Sequence, residues 1–312
     1  MGTLVGHVAP GFGFLLLGLW HLFNHSKLHS LHPTTYTSPP WFPTKRIKYL
    51  ELFFIMLASS ASISMELFIG PDRHQPLDPD GTIPSNHLHN FEHSSISLTF
   101  LVYALFALVF DKLKPKAGIA MTQLAAALAF SQMLLMFHLH SADHMGVEGQ
   151  YHALLQLAIL VSLVTSLMGI GYPRSFIVSF IRSASIVFEG VWMIVMGFVL
   201  WTPALVFKGC FMNHEEGHTV VRCHGHEWLG RAKSLVNIQF SWLLVGVMVF
   251  CMGLYLIINR AYTEEYQYLD RLPDDESGDD LESPNKLSES QSFIGMGKGM
   301  RYRIAEMRSG FW

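Results

Sequence analysis

Residues 94–137 read SSISLTFLVYALFALVFDKLKPKAGIAMTQLAAALAFSQMLLMF, two long apolar runs on either side of Lys114-Pro115-Lys116. A helix that crosses roughly 30 Å of hydrocarbon needs about 20 mostly apolar residues, and each run meets that need. Two lysines and a proline cannot continue such a run, so the stretch predicts an antiparallel helical hairpin. Outward from it, five further spans are expected. All seven are Leu4–Phe23, Tyr49–Ile69, Ser94–Leu113, Ala117–Phe137, Tyr151–Gly171, Ala184–Phe207 and Leu235–Ile258. Arg182 separates the sixth from the apolar run Phe176–Ile181, which leaves room for an interfacial segment there. Open sheets cannot cross lipid and these runs are too long for barrel strands. The expected fold class is therefore all-α, a seven-transmembrane-helix bundle.

Composition points the same way. Half of the 312 residues are hydrophobic, 14% are charged and the net charge is −3. Soluble domains carry about a quarter charged residues, so an ordinary soluble enzyme is excluded. A nucleic-acid partner is excluded too, since it would demand a basic surplus. The partner implied first is the lipid bilayer. The first run lacks a basic leader and is long and Gly-rich (Gly6, Gly11, Gly13, Gly18), which reads as a retained span rather than a cleaved signal. Ala125, Ala126, Ala127 and Ala129 allow close helix packing in the fourth span.

Seven crossings put the termini on opposite sides. Eleven Lys and Arg fall on the side of the C-terminus: Lys27, Lys45, Arg46, Lys48, Lys112, Lys114, Lys116, Arg174, Arg182, Arg260 and Arg271. Five fall opposite, namely Arg73, Lys208, Arg222, Arg231 and Lys233. Positive charge stays cytosolic, so the expected orientation is N-terminus lumenal or extracellular and C-terminus cytosolic, in the endomembrane system or the plasma membrane. The membrane domain is expected over 1–260 and a disordered cytosolic tail over 261–312, where Asp274-Asp275-Glu276 and Asp279-Asp280 could not bury a core. Tyr266-Gln267-Tyr268-Leu269 has the shape of a sorting signal, which would make trafficking proteins the tail's partners.

Seventeen histidines are the outlier in this composition, and thirteen lie on or near the N-terminal side. His7 opens span one, His93 opens span three, His138 and His140 close span four, and His152 opens span five. His89 and His93 share a helix face at a spacing of four, as do Glu148 and His152. His138 and His140, two apart, point away from each other in a regular helix. Imidazoles with a carboxylate form a ligand set for Zn²⁺, the expected cofactor. The expected ligands are His93, His138, His140 and His152 with Glu148 nearby, and His7 at the periphery. Glu66, Glu92 and Asp143 are available to orient the rings. A polar cap that senses pH is the competing reading. His7 and His21 have the fourteen-residue spacing of diheme cytochromes, but no second helix repeats it.

Between spans six and seven, Cys210 and Cys223 close a short loop with His214, His218, His224 and His226. On the lumenal side they are expected to form a disulfide; kept reduced, they would make a zinc site with His214 and His218. On the other side, His21, Glu51 and Glu189 read as a structural polar lock, with Arg182 or His21 as partner to Glu189.

Several segments together resemble the transmembrane protein 45 family. They are Gly6-His7 with Pro10-Gly11 and Gly18-Leu19-Trp20, Glu92-His93, His138-Leu139-His140, and Glu148 with His152-Ala153-Leu154-Leu155. Glu189-Gly190-Val191-Trp192 with Gly197-Phe198-Val199-Leu200 completes the set, which spans roughly Gly2 to Arg260. Glu189 stands where an amide is common in that family. The resemblance implies seven helices and a membrane location, and assigns no reaction.

Two functions of different class follow. The first is a histidine-rich, metal-binding lumenal face, extending to metal-dependent hydrolysis of a lipid or amide in which Glu92 or Glu148 moves protons. The second is a non-catalytic adaptor that recruits trafficking partners through its tail. A carrier would want charged groups through the middle of the membrane, and the spans offer too few.

Overall fold

The computed structural model describes the backbone of residues 3–70, 75–139, 145–215 and 218–270, with side chains left aside at Asn86, His218 and 264–270. Seven of the described helices are long and apolar enough to cross a membrane. They are α1 (Leu4–Leu31), α2 (Leu50–Ser64, continued by a π-wound turn Met65–Ile69), α3 (Leu88–Leu113), α4 (Gly118–Leu139), α5 (Gly146–Gly171), α6 (Phe176–Trp201) and α7 (His226–Asp270). Thr3 caps α1 by accepting a hydrogen bond from the Gly6 amide. Lys114 takes a left-handed conformation to close α3, as the Lys114-Pro115-Lys116 turn requires.

α6 is the hub. Two-thirds of its apolar span is buried, against 11–39% for the other six. Glycines on both helices let α1 approach it at backbone distance: a Cβ on Gly190 of α6 would lie 2.4 Å from Leu15 N, and one on Gly18 of α1 would lie 2.5 Å from Val187 N. Small residues at such crossings let dispersion forces act between backbones, the main attraction available where lipid is as apolar as the side chains. The largest apolar core joins Tyr151, Leu155 and Ile159 of α5, Trp192 and Met196 of α6, and Ala232 and Val236 of α7. Outward, Leu57, Leu128, Trp242 and Leu256 are more than half exposed, as a lipid-facing surface demands.

Several boundaries differ from those that hydropathy suggested. α6 begins at Phe176 rather than Ala184 and ends at Trp201 rather than Phe207, so Phe176–Ile181 is part of the crossing helix. Ser175 caps it, and Arg182 does not interrupt it because its side chain turns inward. Thr202-Pro203 ends it. α7 runs from His226 through Tyr266–Leu269 to Asp270, past the boundary expected at 260, because a helix need not stop where hydrocarbon does. Of the disordered tail expected over 261–312, residues 271–312 lie outside the described residues. A two-stranded antiparallel hairpin, β1 (Cys210–Glu215) and β2 (His218–Cys223), joins α6 to α7 and was not foreseen in an all-helical reading.

Candidate functional site

Call the first face the one where α1 begins, and the second face the one where it ends. At the first face, His7 of α1 and His152 of α5 are 7% and 1% exposed, with their Nε2 atoms 3.4 Å apart. His7 Nδ1–H donates to Thr3 O at 3.0 Å, which leaves Nε2 of a neutral ring with its lone pair directed at His152. His7 stacks on Trp201, ring centroids 4.5 Å apart, and His152 stacks on Phe137 at 5.5 Å. Gly197 makes room: a Cβ there would sit 3.1 Å from that of His7. The two rings are therefore held from both sides.

The remaining predicted ligands go elsewhere. His93 Nδ1–H donates to Glu66 Oε1 at 3.3 Å, and Asn90 Nδ2 donates to Glu66 Oε2 at 2.8 Å. The π-wound turn at the end of α2 carries Glu66, and such turns are frequent at functional sites. His89 and His93 do share a face, with ring centroids 6.3 Å apart. Glu92 and His93 line a narrow cleft with Ile96, Met136 and Phe137, about 160 Å³ of enclosed and open space together. His138 is exposed, and its Nδ1–H donates to Gln156 Oε1 at 3.3 Å. Glu148 is half-buried with Arg222 of β2 in electrostatic reach. His140 and Asp143 lie outside the described residues. Among the described residues, no three His, Cys, Asp or Glu side chains converge as a metal-ligand group. The four described residues of the five read from sequence are thus divided between a His7–His152 pair, a His93 bonded to Glu66 and an exposed His138.

In the hairpin beside these groups, Cys210 and Cys223 are opposite each other in register with their sulfurs bonded. Arg222 binds Glu215 through two nitrogens, and Asn213 adds a third donor at 2.8 Å. That arrangement holds the Glu215 carboxyl below the usual carboxylate range.

The second face holds a larger polar cluster. Glu51 of α2 accepts from His21 Nε2 at 2.8 Å, Trp20 Nε1 at 2.9 Å and the Phe42 amide at 2.9 Å. The Tyr36 hydroxyl and His25 Nδ1 share a hydrogen bond at 2.8 Å. Arg182 donates to Gln123 Oε1 at 2.7 Å and to Ser38 Oγ at 3.3 Å, and Ser179 donates to Ser38 at 2.7 Å. Glu189, expected to pair with Arg182 or His21, does neither. It lies wholly buried at mid-helix, bonded to Ser162 Oγ at 2.5 Å, because its turn of α6 faces α5 while Arg182 faces α4 and the 32–49 loop. Sequence reasoning singled out His21, Glu51, Arg182 and Glu189 here but missed His25, Tyr36, Ser38 and Gln123. His21, His25 and His29 at four-residue steps were the available signal, one face of one helix.

These features define a multi-pass helical membrane protein with buried polar clusters at both ends of the bundle. The sequence model of a family of unknown function (DUF716) matches residues 119–256, from the first turn of α4 to the last third of α7. The match includes Glu148, His152, Glu189 and the hairpin, and leaves α1 to α3 outside.

Proposed function

We propose that this is a seven-helix protein of the transmembrane protein 45 type whose first face, lumenal or extracellular, binds a transition metal at His7 and His152, with Zn²⁺ as the leading candidate. The DUF716 family includes members of that type. The observation that carries the reading is the 3.4 Å approach of the two Nε2 atoms. Two imidazoles bound at about 2.0–2.1 Å to one tetrahedral zinc have their nitrogens about 3.3 Å apart. The Nδ1–H bond from His7 to a backbone carbonyl is the outer contact that ligating imidazoles make, and it fixes the tautomer a metal needs. Glu148, one turn before His152 on α5, leaves the ligand set, since it does not converge with the two imidazoles and lies in electrostatic reach of Arg222 instead. His93 with Glu66 becomes a separate neighbouring pair, and His138 leaves the set. Glu92 goes with His93, on the narrow cleft, so the proposal stops at binding and assigns no hydrolysis.

Metal content of the detergent-purified chain tests it. The expected result is close to one zinc per chain, falling at least tenfold in His7→Ala and in His152→Ala and unchanged in His138→Ala. Less than about a tenth of an ion per chain in the unaltered protein would end the reading.

A further inference from the structure

We infer that the second-face cluster is a binding site for a phosphate-type oxyanion, held by Arg182 of α6, Gln123 of α4 and His25 of α1. This is independent of the metal reading at the opposite face.

The argument begins with charge. Arg182 is 5% exposed and stands six residues into α6, about 9 Å along its axis from the start. A guanidinium at that depth is costly unless it is paired. Its bonded partners are two neutral acceptors, Gln123 Oε1 and Ser38 Oγ. The carboxylate nearby, Glu51, is within electrostatic reach but accepts from His21, Trp20 and Phe42 N instead. Tyr36 and Tyr103 also face the guanidinium as neutral phenols. The cluster therefore gives three donors to its anion and no anion to its cation.

The second line of argument is orphaned donors. Gln123 is 2% exposed and its Nε2 has no partner. Because the same amide's oxygen is bonded to Arg182, that bare nitrogen necessarily lies close to the guanidinium. His25 is wholly buried. Its Nδ1 is bonded to the Tyr36 hydroxyl; in the tautomer where that hydroxyl donates, the ring carries its proton on Nε2, which also has no partner. Buried donors without acceptors are rare in folded proteins and costly. An oxyanion would satisfy both and neutralise Arg182, displacing Gln123 Oε1 and Ser38 Oγ as the amide turns Nε2 inward. The donors arrive from three helices rather than along one edge. That suits a tetrahedral phosphate, with acceptor oxygens on every side, better than a planar carboxylate. Gly169 lets α5 pack directly on the pair, since a Cβ there would lie 3.1 Å from Arg182 Nη1 and 3.5 Å from Gln123 Oε1.

Free phosphate and a lipid phosphate headgroup share this chemistry. The test measures thermal unfolding of the full chain in phosphatidylcholine nanodiscs, with inorganic phosphate added or with phosphatidic acid in the bilayer. A saturable rise in Tm is expected from one of the two probes. Response to inorganic phosphate means a free anion, and response to phosphatidic acid alone means a headgroup. Gln123→Leu should weaken the response roughly tenfold or more and Arg182→Gln should abolish it, while Gln150→Leu, at the other face, should keep it. If Arg182→Gln fails to fold, Gln123→Leu decides alone. No rise with either probe, a rise that chloride matches at equal ionic strength, or an undiminished rise in Gln123→Leu would overturn the inference.

Discussion

At the scale of single residues, the α1–α6 crossing makes the most exacting demand. A Cβ on Gly190 would meet Leu15 N at 2.4 Å and Gly11 O at 2.6 Å, both backbone atoms that cannot step aside. Gly190→Ala should therefore force the two helices apart and destabilise the bundle by about 1–3 kcal/mol or more. Gly13→Ala, with nothing within 4 Å, should be close to neutral or slightly stabilising. Thermal unfolding in one detergent compares them, and equal losses would mean that α1 and α6 do not pack at this distance. The same crossing sets His7. Gly197→Ala would push a methyl toward the His7 Cβ and should lower metal content without removing a ligand.

At the scale of elements, the hairpin and the helix boundaries separate what patterning reveals from what it hides. In the hairpin, Glu215 has a depressed pKa, so its pairing with Arg222 is fully present above the ordinary glutamate range near 4.3. It is lost only as pH falls through the lower, folded value. Carbon-13 NMR of the Glu215 carboxyl should show a midpoint below that range, and Arg222→Gln should move it back. An unchanged midpoint in Arg222→Gln would contradict the assigned cause. Peptide mapping without reductant should recover Cys210 and Cys223 in one linked peptide; full alkylation of both thiols would contradict the bond. The strands themselves were not legible in the sequence, because six-residue segments such as Cys210–Glu215 carry no alternation strong enough to distinguish them from loop. The seven helices were legible because twenty apolar residues have few other uses. Their ends were not, since hydropathy marks the hydrocarbon and not the helix. Phe176–Ile181 belonged to α6 once Arg182 proved able to turn toward Gln123 and Ser38.

At the scale of the whole molecule, polar residues gather at the two ends of the bundle, with Glu189, Ser162 and Ser185 bonded between them. Depth along a helix can be read from sequence, and it brought His7 and His152 to one face. Azimuth could not be read around helices with apolar residues on every side, so His93 and His138 were assigned to a centre that they do not share. The basic residues predict a cytosolic C-terminus: in sealed vesicles, external protease should remove a tag placed after Trp312 and spare one beside Glu215, and the opposite pattern would invert the topology. The sequon Asn24-His25-Ser26 should carry no sugar, since Asn24 is inside α1 with its amide bonded to Trp20 O. The central claim, that two helices bring two imidazoles together around one ion, is tested most directly by zinc-edge X-ray absorption of the purified full chain. The account predicts at least two imidazole nitrogens at about 2.0–2.1 Å, reduced by one in His152→Ala. A zinc shell of sulfur or oxygen alone, or one unchanged in that variant, would contradict it.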